Sequence, residues 1–283
     1  MPARVRLPLR AALPPPPPPG RPGDPGVVPP HGAAWAVLAE RALLLGAPTA
    51  LLLQLAAPPV AAAVAERSTF REDPGHRLTA TLDAVLTVVF GDTEQAAAVG
   101  RHVGRRHTGV PRADDPQLGL WVHATLVRTA LDVTARYLRR PVDEAFREAY
   151  WREVQPFATA FGVPREVLPP TAAAFDAWWE AALARTEVTP AAREVADHLL
   201  STPTSPPVPG LGVVARAVTA DLLPERLAAE YGLVPGPGRR ALAAAVRGTT
   251  ATARPLLPGR LARWPHLALA ERRLAARGAP TMS

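Results

Sequence analysis

From Ala33 onward, apolar positions recur three and four residues apart, the period of helices that bury one stripe and expose the rest. In the first such segment Trp35, Leu38, Ala39 and Ala42 share a side, with Glu40 and Arg41 opposite. A loop, Ser68 to Pro74, precedes a helix over 74–90 whose stripe is Leu78, Leu82, Val85, Leu86 and Val89. Asp143 caps a later helix with Phe146, Tyr150, Val154, Phe157 and Phe161 on one face and Pro156 placed to kink it. That aromatic stripe reads as core rather than as a cofactor box. Further helices are expected within 170–186, from Thr189 and Pro190 through Leu199, at 213–223 and near 239–248 and 265–277. No alternating run is long enough for a strand, so the fold class is all-α, a single multi-helix domain.

Two helices in the middle of this pattern carry the candidate chemistry. Asp92, with Gln95 three residues on, forms a capping box that opens a helix ending near Gly109 and Pro111. Along it Ala96, Gly100, Gly104 and His107 share a face nearly bare of side chains, which a flat ligand or another backbone can approach. Asp115 and Pro116 open the next helix, and His123 falls on its stripe with Gly119, Leu120, Leu126, Val127 and Ala130. Each histidine has two readings: an imidazole satisfied within ordinary packing, or a ligand aimed at a bound group.

Proline sets the domain limits. The run Pro14 to Pro19 and its neighbours predict an extended, unpacked tail over 1–31. The helical domain then occupies 32–235, and 236–283 is an Arg- and Ala-rich helical extension expected to dock loosely or lie on a surface. The uncharged stretch 42–65 is long enough to cross a bilayer, which takes about 20 residues. Pro48, Pro58 and Pro59 instead divide it into a helix to Leu45, another over 49–56 and a third over 59–67. Met1 to Arg10 carries three arginines without an apolar core behind them, unlike a signal peptide. A cytoplasmic location follows as the expectation.

Composition narrows the function classes. With 283 residues, 48% of them hydrophobic, the chain can bury a substantial core. It has no cysteine, so neither disulfides nor thiolate ligands enter. Lys, Ile and Asn are also absent while Ala, Arg and Pro abound, the mark of a GC-rich genome. The net charge of +7 invites an anionic partner. The arginines are scattered and aromatics make up only 5%, which argues against nucleic acid and leaves peripheral contact with a membrane surface. His102 and His107 lack metal-pair spacing, and His198 has no serine nucleophile near it. His31, His76 and His266 sit in loops or at helix starts and are expected to be solvated.

Several stretches resemble the catalytic domain shared by MpaB and the rubber oxygenases such as latex-clearing protein. They are Ala47-Pro-Thr-Ala-Leu-Leu-Leu-Gln-Leu-Ala-Ala-Pro58, Ser68-Thr-Phe-Arg-Glu-Asp-Pro74, Arg77-Leu-Thr-Ala-Thr81 and Val88-Val-Phe-Gly91. Arg106-His-Thr-Gly-Val110, Asp115-Pro-Gln-Leu-Gly-Leu-Trp-Val-His-Ala-Thr-Leu126, Gly162-Val-Pro164 and Leu222-Leu-Pro224 complete the set. The resemblance implies an all-helical domain that binds haem b through a histidine and uses dioxygen on an isoprenoid- or lipid-like apolar substrate. It places His107 at the iron-binding histidine of the rubber branch and His123 at the histidine of the smaller branch's Trp-Val-His-Ala-Thr motif. Gly104 then belongs to the cofactor-binding face, and Arg77 and Thr81 match the catalytic arginine and threonine of a distal Arg-x-x-Lys-Thr pattern. Two positions depart from that pattern: Ala80 stands for the distal lysine, and Ala57 for the histidine of Ala-His-Pro. These departures support an alternative, a catalytically degenerate helical module that binds a lipid, a membrane surface or a protein partner.

Overall fold

A computed structural model describes residues 18–66, 74–201 and 210–276, with side chains omitted at 74–78. Fourteen α-helices run through the described residues, and no strand is found among them. They are α1 (Ala33–Leu38), α2 (Ala47–Leu55), α3 (Pro58–Ala65), α4 (Pro74–Phe90), α5 (Thr93–His107), α6 (Pro116–Arg136) and α7 (Glu144–Ala160). After these come α8 (Ala172–Ala184), α9 (Pro190–Ser201), α10 (Leu211–Leu222), α11 (Glu225–Glu230), α12 (Pro237–Ala253), α13 (Gly259–Ala262) and α14 (Pro265–Ala275).

Helix starts fall where side chains can satisfy free N–H groups. Asp92 and Gln95 form the reciprocal capping box, Asp115 accepts from Gln117 and Leu118, and Asp143 accepts from Phe146. The uncharged stretch 42–65 is divided as its prolines require: a 3-10 turn over Arg41–Gly46 runs into α2, and α3 leaves at 105°. No single helix among the described residues is long and apolar enough to cross a membrane. The carbonyls at the end of α2 are taken by core groups. Tyr231 Oη donates to Leu52 O at 2.8 Å, Trp121 Nε1 to Leu53 O at 3.1 Å, and Glu187 N to Ala56 O at 2.9 Å.

The 21-residue helix α6 is the axle. It packs on α1, α2, the 3-10 turn, α7 and α10, and Leu120, Ala124, Val127 and Val133 disappear into the core. By contrast α5 lies against α4 and α7.

Both chain ends differ from their expected looseness. Residues 18–31 are packed: Val28 is wholly buried, Arg21 N donates to Asp92 Oδ2 at 2.6 Å, and Gly23 N donates to Arg273 O at 2.8 Å. Gly26, at φ +77°, lies so close to the Gly91 carbonyl that a Cβ would come within 2.4 Å of it. Proline and glycine make this segment extended and poor in donors, which suits it to lie along a surface whose acceptors meet its few N–H groups. The remainder of the expected tail lies outside the described residues.

The C-terminal extension is docked firmly as well. Helix α12 packs on α10, and α14 packs on α4. Arg273 is buried and donates to Asp24 O, Phe90 O and Gly91 O, so it satisfies carbonyls at the C-terminal end of α4. His266, expected in solvent, is 1% exposed, and burial followed by the nearby charge of Arg41 lowers its pKa to about 4.

Candidate active site around His123

His123 projects from the middle of α6 into an aromatic shell. Its ring centroid lies 5.5 Å from Phe157 and 5.9 Å from Trp151, both on α7. Trp151 stacks at 4.3 Å on Phe175 of α8 and is fixed by donating Nε1 to Pro169 O at 2.8 Å. Two residues earlier and on another side of α6, Trp121 stacks on Trp179 of α8 at 5.1 Å. Near the same level Thr125 donates to Val122 O at 2.7 Å and accepts from Gln54 Nε2 at 3.2 Å. The imidazole is 4% exposed, and neither of its nitrogens has a hydrogen-bond partner. Burial pushes its pKa down to about 3, so the ring is neutral at ordinary pH.

A neutral imidazole with an unused lone pair has the donor chemistry of a metal or haem-iron ligand, and an unpaired buried nitrogen is costly to a fold that gains nothing from it. Among the described residues no three His, Asp or Glu side chains converge as a metal-binding group. Single-imidazole ligation therefore fits this site better than a multidentate cage. The rings of Trp151 and Phe157 lie against His123, so a porphyrin bonded to either nitrogen requires them to shift.

The other sequence candidates fall elsewhere. Gly100 uses the bare face of α5 for close packing, since a Cβ there would come within 2.2 Å of the Ala160 carbonyl at the end of α7. Gly104, one turn on, is exposed, and a Cβ would meet nothing within 4 Å. His107 is exposed in the last turn of α5. Helix α7 thus touches both helices, with Phe157 on His123 and Ala160 on Gly100, and α5 and α6 meet chiefly through it instead of enclosing a slot between their faces. Thr81 is exposed on α4, as is Ala80, while Ala57 is nearly buried ahead of α3. The side chain of Arg77 and the segment 67–73 lie outside the described residues.

Trp151 completes the shell, and sequence inspection passed over it. Trp151 and Ala158, seven residues apart, form a second stripe bordering the aromatic one at Val154, so a wider reading of α7 would have found it.

An all-helical core, an axle helix with a buried neutral histidine, and the motif order along the chain now meet an independent comparison. The model of the ER-bound oxygenase mpaB/B'/Rubber oxygenase catalytic domain matches residues 35–255. The chain belongs to this family. The match extends to residue 255, into the Arg- and Ala-rich segment whose helix α12 packs on α10. Two uncharacterized proteins, one of Mycobacterium bovis and one of Mycobacterium tuberculosis, are each 29% identical to this chain over 162 residues, covering 51% of it. The chain spans 61% of the length of these curated relatives. No solved structure matches it.

Proposed function

We propose that this member of the MpaB/rubber oxygenase family is a haem b-dependent oxygenase that uses dioxygen on an apolar, isoprenoid- or lipid-like substrate. The observation that carries the reading is His123: a neutral imidazole, shut away from water, with both nitrogens unpaired. A bond from one nitrogen to iron would satisfy a group that the protein alone leaves unsatisfied. When bound, the haem supplies the site at which dioxygen is held and activated.

The chain's own residues have separate tasks in this reading. His123 would hold the iron, kept deprotonated by its burial. Trp151, Phe157 and Phe175 exclude water and give an apolar substrate surroundings of matching polarity. His107 and Gly104 of α5 are the second ligand candidate and its approach face, assigned by the family resemblance. Arg77 and Thr81, assigned the same way, serve the distal side. With Ala80 in place of lysine, Arg77 is the only arginine of α4, and it would supply the cationic group of the distal side if haem is bound.

Absorption spectroscopy of protein produced with a haem supply tests this directly. A Soret band is expected, lost or shifted in His123→Ala, with His107→Ala showing whether the second histidine also ligates. A colourless protein that takes up no haem on titration overturns the proposal. It would favour the second reading, a module without oxygenase activity, which draws on Ala57, Ala80 and the close ring contacts of His123.

A further inference from the structure

The segment Arg254-Pro-Leu-Leu-Pro-Gly-Arg-Leu-Ala-Arg263 links α12 to α14 through a 3-10 turn, Arg254–Leu256, and the short α13. Every side chain from 255 to 261 is exposed, with Leu256 at 84%, Leu261 at 53% and Leu257 at 43%. Scattered single apolar residues on a surface need no explanation, but three large ones within six residues at one loop tip do.

The tip is held, so its exposure is built in. At its root Arg254 donates to both carboxylate oxygens of the buried Glu40, at 2.5 and 2.7 Å, and Arg263 lies 3.8 Å from the same carboxylate. Trp264 N donates to Ala39 O at 2.9 Å. Within the tip Leu257 N donates to Ala253 O and Leu261 N to Pro258 O, and Pro255 and Pro258 restrict the backbone further.

The exposed charge at the tip is positive: Arg260 lies within it and Arg263 at its root, on a chain of net charge +7, while the carboxylate of Glu40 beneath them is fully buried. We propose that this leucine-tipped loop docks the protein on an anionic phospholipid surface. Leu256, Leu257 and Leu261 enter the boundary between headgroups and acyl chains, and Arg260 pairs with lipid phosphate. The leucines favour hydrocarbon over a nucleic-acid backbone, and two such loops from separate copies would repel one another.

Co-sedimentation of the full chain with vesicles tests this without reference to haem, so its result is independent of the oxygenase reading. The protein should pellet with mixed phosphatidylcholine and phosphatidylglycerol vesicles, release as salt is raised, and stay in solution with phosphatidylcholine alone. Leu256→Ser with Leu257→Ser should weaken binding at least about tenfold, and Arg260→Glu about fivefold or more. Because these side chains are exposed, the melting temperatures should match the parent's. Failure to pellet with anionic vesicles, or equal binding by the double serine variant, overturns the proposal. A dimer of the full chain broken by that variant would assign the tip to a second copy and overturn it equally.

Discussion

His123 and His266 are two buried imidazoles with no polar partner, and they make different predictions. Replacing His123 by leucine removes an unsatisfied polar group and keeps most of its volume. In haem-free protein the change should raise stability by about 1–3 kcal/mol, read as a higher Tm, while haem uptake is lost. A variant that melts lower than the parent would mean that the imidazole contributes to the fold as it stands. His266 predicts a pH effect. Its folded pKa, about 4, lies below the unfolded value of 6.5, so the unfolded chain binds the extra proton. The stability it contributes is complete above 6.5 and is lost as pH falls toward 4, by at most about 1.4 kcal/mol per pH unit. Urea melts from pH 7 to pH 4 should show this slope lessened in His266→Phe. The burial of His123 could be read from its stripe of apolar neighbours on α6. That of His266 could not, because a histidine after a proline in a helix's first turn looks solvent-facing until α14 is laid on α4.

At the scale of elements, caps and prolines told most. Asp92 with Gln95, Asp115 with Pro116, and the breaks near Pro48 and Pro58 all depend on neighbours within a few residues, so they are visible along the chain. What a bare helix face is for depends on the element opposite it. The glycines of α5 show this, since Gly100 receives the Ala160 carbonyl whereas Gly104, on the same stripe, faces open space. Gly100→Ala should therefore cost about 1–3 kcal/mol by forcing α5 away from α7. Gly104→Ala should instead stabilise by up to about 1 kcal/mol through helix propensity alone. Denaturant midpoints of the two variants should move in opposite directions. If both fall, Gly104 is also covered. If Gly104→Ala gains stability but takes up haem poorly, the porphyrin approaches the α5 face.

At the scale of the molecule, the C-terminal extension is tied in by charge, which hydrophobic periodicity does not record. Glu40 follows α1, is fully buried, and accepts from Arg140 beyond α6 and Arg254 beyond α12, with Arg263 near it. Burial alone would raise its pKa, but hydrogen bonds from Arg254 and Arg140 outweigh that and hold it below the usual carboxylate range. Pairs separated by 100 and 214 residues in sequence cannot be matched by inspection among so many arginines, so the extension read as loose. Glu40→Ala would leave Arg140 and Arg254 without their shared acceptor. It should destabilise by about 3 kcal/mol or more, as removing one member of a buried ion pair does. The loss should also be local: amide exchange should quicken across 254–275, which Glu40 anchors, before it quickens in α6. Glu40→Gln should fall between, since its amide oxygen still accepts while its charge is gone. Unchanged protection in 254–275 of the alanine variant would show that α12 and α14 hold the extension by packing alone.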